Sequence, residues 1–375
     1  MKRAGTLSLL AAALFVAVLL GRDTASDAAA QAPIRLKIQS AFPAVSIVYG
    51  NLKYFAERVE KMSGGRIKVE ALPAGAVVPA FEILDAAHRG LLEGGHGVSY
   101  YWFGRHPAAT LFAGAPGGPF GMSLLDLMGW FYEGGGLDLY HELYQKLLKL
   151  DVVVFPISPH GPQPPGWFRR PVKNWEDFRG FKARIPGIAG DVYKEAGMSV
   201  VLLPGGEIIP AAERGLIDAA EWVGGREDLL LGLHTVGWKF HYLQGQHEPN
   251  THGNLFLNKK VWEKLSPDLQ EIIKSATKDA FLTFWWQFNQ ENAKAYQEIL
   301  KLGINTQRMP DDINEVFLKT WDKVAARFAE KDAFFKKVLD SMREYASLTV
   351  PHRESHWPTW SFAAQYYWKD KIYAK

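Results

Sequence analysis

Four polar residues in this chain occupy settings where a charged or amide group needs a partner. Arg184 lies in Phe181-Lys-Ala-Arg-Ile-Pro186, whose alternation assigns one face to a core or a cleft. A guanidinium on that face needs an anion, and its planar fork fits a carboxylate with two parallel hydrogen bonds; a salt bridge on the surface of the fold fits the spacing equally well. Glu221 and Trp222 close the strand-like run Ile217-Asp-Ala-Ala-Glu-Trp222, placing an acid where a buried strand would continue. That acid either meets a ligand beyond the strand end or pairs with a buried base. Gln163 stands among prolines in Gly161-Pro-Gln-Pro-Pro165, and Glu248 lies in Gly245-Gln-His-Glu-Pro249, on spacing alone a solvated loop acid. Tyr100 and Tyr101 lie in an expected strand from Gly97 to Trp102, and alternation turns one of the two away from the core.

Enzyme signatures are missing. The chain has no G-x-S-x-G, no H-E-x-x-H, no phosphate-binding P-loop and no cysteine. Gly117-Gly118 and Gly134-Gly135-Gly136 lack the strand-then-helix context of a dinucleotide site and are expected as turns. His88 and His96 have no acid at metal-ligand spacing. An enzyme would have to use His96 and Glu221 as an acid–base pair, and that is the competing class.

The elements that position these residues repeat. Glu82-Ile-Leu-Asp-Ala-Ala-His-Arg-Gly-Leu-Leu-Glu93 returns as Glu207-Ile-Ile-Pro-Ala-Ala-Glu-Arg-Gly-Leu-Ile-Asp218, with seven of twelve positions identical. Each copy is a helix ending at a glycine suited to a left-handed cap, Gly90 or Gly215, followed by a departing strand. Strand, helix and strand precede each copy: 34–40, 52–62 and 66–72 before the first, 181–185, 189–195 and 198–203 before the second. Two similar β-α-β halves predict an α/β protein of two lobes, with ligand bound beyond the carboxyl ends of the strands between them. The expected boundaries are lobe I over 31–151 with a returning segment near 246–285, and lobe II over 152–245 with a returning segment near 286–350. From Ser266-Pro267-Asp268 a helix runs about 35 residues without Pro or Gly, too long for one small lobe, so it is expected to span both. A helical tail over 351–375 carries seven large aromatics from Trp357 to Tyr373, an apolar load that calls for a docking partner.

Lys2 and Arg3 precede an apolar run from Leu7 to Leu20, and small residues follow up to Pro33, which predicts an export signal over residues 1–30 cleaved after Ala30. Without cysteine, the exported protein holds together with no disulfide or lipid anchor, as a free periplasmic protein. Losing residues 1–30 removes three positive and two negative charges, taking the net charge from +3 to +2. Such balance gives no electrostatic reason to bind nucleic acid or an anionic membrane.

The order of segments resembles the extracytoplasmic solute-binding proteins of tripartite ATP-independent periplasmic (TRAP) transporters. The resemblance rests on the export signal, Gly180-Phe-Lys-Ala-Arg184, Pro204-Gly-Gly-Glu-Ile-Ile-Pro210 and Gly215-Leu-Ile-Asp-Ala-Ala-Glu-Trp222. The paired tyrosines and the Gln163 loop followed by Gly166-Trp-Phe-Arg-Arg170 are most similar to the branch binding 2-oxo acids such as pyruvate, or lactate. The resemblance implies a two-lobed periplasmic binding fold with hinge strands that captures a small carboxylate without chemistry. It implies Arg184 as the carboxylate clamp, a sodium or calcium ion held by Gln163, Glu221, the Trp222 carbonyl and Glu248, and a ligand contact from Tyr100 or Tyr101. Between Tyr242 and Asn254, around Glu248, the chain departs from the family pattern. It further implies membrane permease subunits as partners and a homodimer formed by exchange of the C-terminal helix. The same fold with a larger dicarboxylate or sugar acid is the alternative.

Overall fold

The computed structural model describes residues 32–372; the signal expected over residues 1–30 and Tyr373 lie outside the described residues. Eleven strands among them form two sheets: β1 (Ile34–Ser40), β2 (Ile67–Leu72), β3 (Gly94–Gly97), β4 (Val152–Pro159), β5 (Gly166–Phe168), β6 (Lys182–Arg184), β7 (Ser199–Val201), β8 (Ala219–Ala220), β9 (Phe240–Leu243), β10 (His252–Asn258) and β11 (Asn305–Arg308). The first sheet has the order β2-β1-β3-β10-β4 and the second β11-β9-β5-β8-β6-β7. Each is the floor of one lobe.

The repeat is visible in both. In lobe I the helix Ile83–Arg89 ends at Gly90 in the left-handed region (φ 77°) and β3 leaves parallel to β1. In lobe II the helix Gly205–Glu213 is followed by Gly215 (φ 67°), and β8 leaves parallel to β6. Positive φ at these two turns suits glycine and would strain a side chain. Apolar spacing on the helix Ile47–Met62 buries Leu52, Phe55 and Val59, and Leu36 and Ile38 of β1 are buried as well. Full burial of such side chains contributes about 1.5–3 kcal/mol each. Ser46 caps this helix, its hydroxyl accepting from the Val48 and Tyr49 amides.

The lobe boundary differs from the sequence expectation. β4, placed at the start of lobe II by a boundary at 151, pairs antiparallel with β10 in the first sheet, so the chain crosses at 160–165 and returns at 244–251. Its run Val152-Val-Val-Phe-Pro-Ile157 is buried on both faces, and the carbonyls of Val152 and Val154 accept from Gln145 and His141, which covers the sheet edge. A continuous apolar run carries no information about which of two neighbouring sheets it joins.

The helix Pro267–Lys301 crosses both lobes as expected. Its first half holds helix Ile47–Met62 through Asn51 to the Ala280 carbonyl (2.9 Å) and Arg58 to Asp279 (2.5 Å). Its second half meets helix Gly225–Leu231, where the Arg226 amide donates to Asn292 (2.9 Å). Helix Asp311–Lys331 returns to lobe II, with Phe317 against Tyr193. Helix Ala333–His356 packs on lobe I, with Trp130 donating to Ser341 (3.1 Å). The returning segment expected near 286–350 is thus divided between the lobes. The tail helix Trp360–Trp368 follows with every residue but Ala364 exposed. No helix among the described residues is long and apolar enough to cross a membrane.

Candidate functional site

Two of the candidate residues sit where the chain passes between the lobes. Gln163 lies on the outward crossing and Glu248 on the return, and the two segments run against each other. The His160 and Gly161 amides both donate to the Thr251 carbonyl at 2.9 Å, and the Gln163 amide donates to the Glu248 carbonyl at 3.0 Å. Loop residues far apart in sequence are thereby locked together at the hinge.

Lobe II supplies three more. Parallel pairing sets Arg184, the last residue of β6, beside Ala220 at the end of β8, so Glu221 emerges next to it. Arg184 Nη1 donates to Glu221 Oε2 at 2.8 Å and to the Glu221 carbonyl at 3.0 Å, and Nε donates to the Leu203 carbonyl at 3.2 Å. The guanidinium lies 5.3 Å from the Trp222 ring. That ring needs Gly205 beneath it, since a Cβ there would fall 2.4 Å from the indole. The short β8 explains the acid at the strand end: two buried alanines carry the ladder, and Glu221 is the first residue past it.

Lobe I contributes the tyrosines, with a correction to the expected geometry. β3 stops at Gly97, and Ser99–Trp102 forms a helical turn, so alternation no longer applies and both Tyr100 and Tyr101 are buried, their rings 5.2 Å apart. Tyr100 lies close enough to Glu248, and Tyr101 close enough to Arg184, for each to act on the other's charge. The expected exposed loop acid is also corrected: Glu248 is 2% exposed and accepts from Thr251 Oγ1 at 3.1 Å.

All seven candidates are buried and share one electrostatic problem. Burial pushes the Glu221 carboxyl up, against the pull of Arg184. Glu248 is raised by burial and then by Glu221. Two carboxylates therefore face one guanidinium. Burial also raises both tyrosines, which stay neutral hydroxyls. Several buried polar atoms here have no hydrogen-bond partner: both amide atoms of Gln163, Glu221 Oε1 and Trp222 Nε1. Unsatisfied buried groups are costly, and a cluster of them with an excess of negative charge suits an all-oxygen cation shell beside an anion. Among the described residues no three His, Asp or Glu side chains form a metal cluster, so such a shell would draw on the amide and carbonyl oxygens as well.

His96 is not the partner of Glu221. Its ring nitrogens are taken by Ser40 Oγ (2.9 Å) and Ser158 Oγ (2.7 Å), and burial holds it neutral with a pKa of about 3. Phe42, which the spacing did not mark, reaches from lobe I to 5.9 Å from the Trp222 ring. His160 and His247, also unmarked, are buried beside Gln163 and Glu248 in sequence and have unpartnered ring nitrogens. Single loop histidines carry no periodic signal; only their closeness to Gln163 and Glu248 pointed to them.

The profile of the bacterial extracellular solute-binding protein family 7 (DctP) matches residues 39–332. A monocarboxylate 2-oxoacid-binding periplasmic protein of Nostoc is 35% identical over 323 residues, covering 86% of this chain and 87% of that one. A TRAP solute-binding protein from Bordetella bronchiseptica, a mixed-occupancy dimer with calcium and picolinate in one site, superposes with a TM-score of 0.83 at 27% identity, covering 88% of this chain and 98% of that one. One from Pseudoalteromonas atlantica, with sodium and pyruvate bound, gives 0.81 at 30% identity over 91% and 100%. The chain is a periplasmic solute-binding protein and not an enzyme: it belongs to the DctP-type family of extracytoplasmic receptors that serve TRAP transporters.

Proposed function

We propose that this protein captures a small monocarboxylate, a 2-oxo acid such as pyruvate or the related lactate, together with a sodium or calcium ion, and delivers it to sodium-coupled TRAP permease subunits. The observation that carries the reading is the buried set of unpartnered atoms on Gln163, Glu221 and Trp222, joined by Glu248, whose ionisation burial and Glu221 both oppose in the absence of a cation. Arg184 clamps the ligand carboxylate. Gln163, Glu221, the Trp222 carbonyl and Glu248 hold the cation, which offsets the repulsion between the acids and an incoming anion. Trp222 Nε1 and the tyrosine hydroxyls are the remaining donors for ligand oxygens. The Nostoc relative's 2-oxo acid specificity, and the pyruvate, sodium and calcium named for the solved relatives, agree with this chemistry. In the same reading the exposed aromatic tail docks on a second copy of the chain, as a dimer.

Thermal shift against a panel of small acids, run with calcium, with sodium and with a large organic cation after chelation, tests the reading. Pyruvate or lactate is expected to raise the melting temperature only when a small cation is present. Stabilisation by a dicarboxylate or sugar acid alone would replace the ligand, and cation-independent binding would overturn the shell.

A further inference from the structure

A second carboxylate bridges the lobes away from the Arg184 cluster. Glu227 belongs to the first turn of the lobe II helix Gly225–Leu231, yet its Oε1 accepts from the Ser46 hydroxyl at 3.1 Å and the Ile47 amide at 2.6 Å, the N-terminus of the lobe I helix Ile47–Met62. It is 1% exposed. Glu227 thus meets the N-terminal end of the lobe I helix, which carries roughly half a positive charge. Its carboxylate satisfies an orphan amide donor there and complements that helix's dipole.

This contact is coupled to the ligand site. Asp228, the next residue, accepts from the Gly224 amide (3.2 Å), the Val223 amide (3.4 Å) and Trp167 Nε1 (2.8 Å), which ties the helix start to the Glu221–Trp222 strand end. The position of Glu227 therefore follows that of Trp222. Thr110 Oγ1, which accepts from the Ile188 amide at 3.3 Å, and Phe42, which meets Trp222, also reach across the cleft.

We propose that Glu227 is a positioning residue for closure, a latch that holds the lobes shut over the ligand by capping the lobe I helix without touching ligand or cation. Separation of the lobes would break both hydrogen bonds and return the carboxylate to water, so the latch favours the shut form alone. The inference rests on the capture function proposed above.

The test uses the full mature chain with pyruvate and calcium as probe. Glu227→Ala is expected to raise the pyruvate dissociation rate roughly tenfold or more, with the association rate nearly unchanged. Glu227→Gln keeps a carbonyl acceptor and is expected to lose less. Ile47→Pro removes the shorter of the two donors from the other lobe and leaves the Ser46 hydroxyl: Ile47 is the first helical position, where proline is tolerated, and Ser46 already has the extended conformation (φ −68°, ψ 135°) that a following proline requires. Its dissociation rate is expected to rise likewise, and X-ray scattering of both pyruvate-bound variants to show a larger radius of gyration than wild type. Wild-type dissociation rates and scattering in folded Glu227→Ala and Ile47→Pro would overturn the latch. If wild-type protein itself does not bind pyruvate, the capture reading fails instead, and the two failures are distinct.

Discussion

Replacing Arg184 tests the centre of the site, and the structure predicts two separable effects. The guanidinium serves the Leu203 carbonyl, the Glu221 carbonyl and Glu221 Oε2, with both side chains of the ion pair at or below 1% exposure. Arg184→Ala leaves Glu221 a buried carboxylate with neither oxygen paired, since Oε1 already has no partner. Stranding one charge of a buried pair costs about 3–5 kcal/mol, a large part of the roughly 5–15 kcal/mol that holds a protein folded. Adding Glu221→Gln removes the stranded charge, so the double variant is expected to recover most of the lost melting temperature. Ligand affinity obeys a different rule. Arg184→Lys keeps a positive charge for Glu221 but has no fork for a carboxylate, so its stability is expected to fall less than its affinity. Calorimetry with pyruvate at fixed calcium is expected to show a loss of about a hundredfold or more for Arg184→Ala, the equivalent of about 3 kcal/mol. Near-wild-type affinity in a folded Arg184→Ala protein, or in Arg184→Lys, would refute the clamp and leave Arg184 as a structural partner of Glu221.

His241 offers a test of acid lability. It is fully buried, stacked 4.7 Å from Trp167 with no hydrogen-bond partner on its ring, and burial pushes its pKa down to about 3. The unfolded chain binds its proton near pH 6.5 and the folded one only near 3, so its contribution is complete above about pH 6.5 and lost as pH falls towards 3, about 2 kcal/mol of it by pH 5. Glu227 and Asp228 are raised to about 7 and about 6 by burial and act in the opposite sense, so the comparison is made against His241→Phe. The difference in unfolding free energy between pH 7.5 and pH 5 is expected to become more favourable by that amount in the variant; an identical difference would show that His241 is not buried as a neutral ring. For the tail, Phe362 and Tyr366 are each 78% exposed, and truncation after Arg353 is expected to convert a dimer into a monomer that still binds pyruvate, by light scattering and calorimetry. A monomeric intact protein at micromolar concentration would remove the dimer.

The duplicated helix and glycine were enough to see two equivalent halves, because a helix cap and the strand that leaves it are decided by adjacent residues. Arg184 and Glu221 were legible for the same reason: one ends a short strand and the other is the first residue past one, and both strands have local neighbours. Tyr100 and Tyr101 were only half legible. An apolar run through Trp102 fits a strand, and the turn at Ser99 arises because β3 ends where β10 ceases to pair, at Gly97 opposite Asn254. Gln163 and Glu248 carry no local pattern at all. Their meeting depends on β4 and β10 pairing in step from Val152–Asn258 to Ile157–Gly253 and then, after a register shift past Ser158, at Pro159–His252, a non-local register that sets where both crossings begin. Glu227 looks like an ordinary acid in a first helical turn; its partner is a backbone amide 180 residues away.

That dependence on register bears on how capture works. Residues from lobe I, lobe II and both crossings contribute to one buried cluster, so no single lobe holds a complete site. An open form would leave Glu221 and Arg184 together on lobe II, where solvent lowers the cost of their charges, while Tyr101 and Phe42 move away with lobe I. Closure desolvates the pair and brings in the second acid's tyrosine partner, and the buried charge then stands in excess by one carboxylate. In the proposed function the cation offsets that excess and Arg184 meets the ligand carboxylate, so the shut state is favoured only when both arrive. With calcium the requirement for two partners is then a consequence of burying two acids with one arginine: the ion alone leaves the closed site one charge too positive and the anion alone two charges too negative, so with either alone the lobes reopen and only both together balance it.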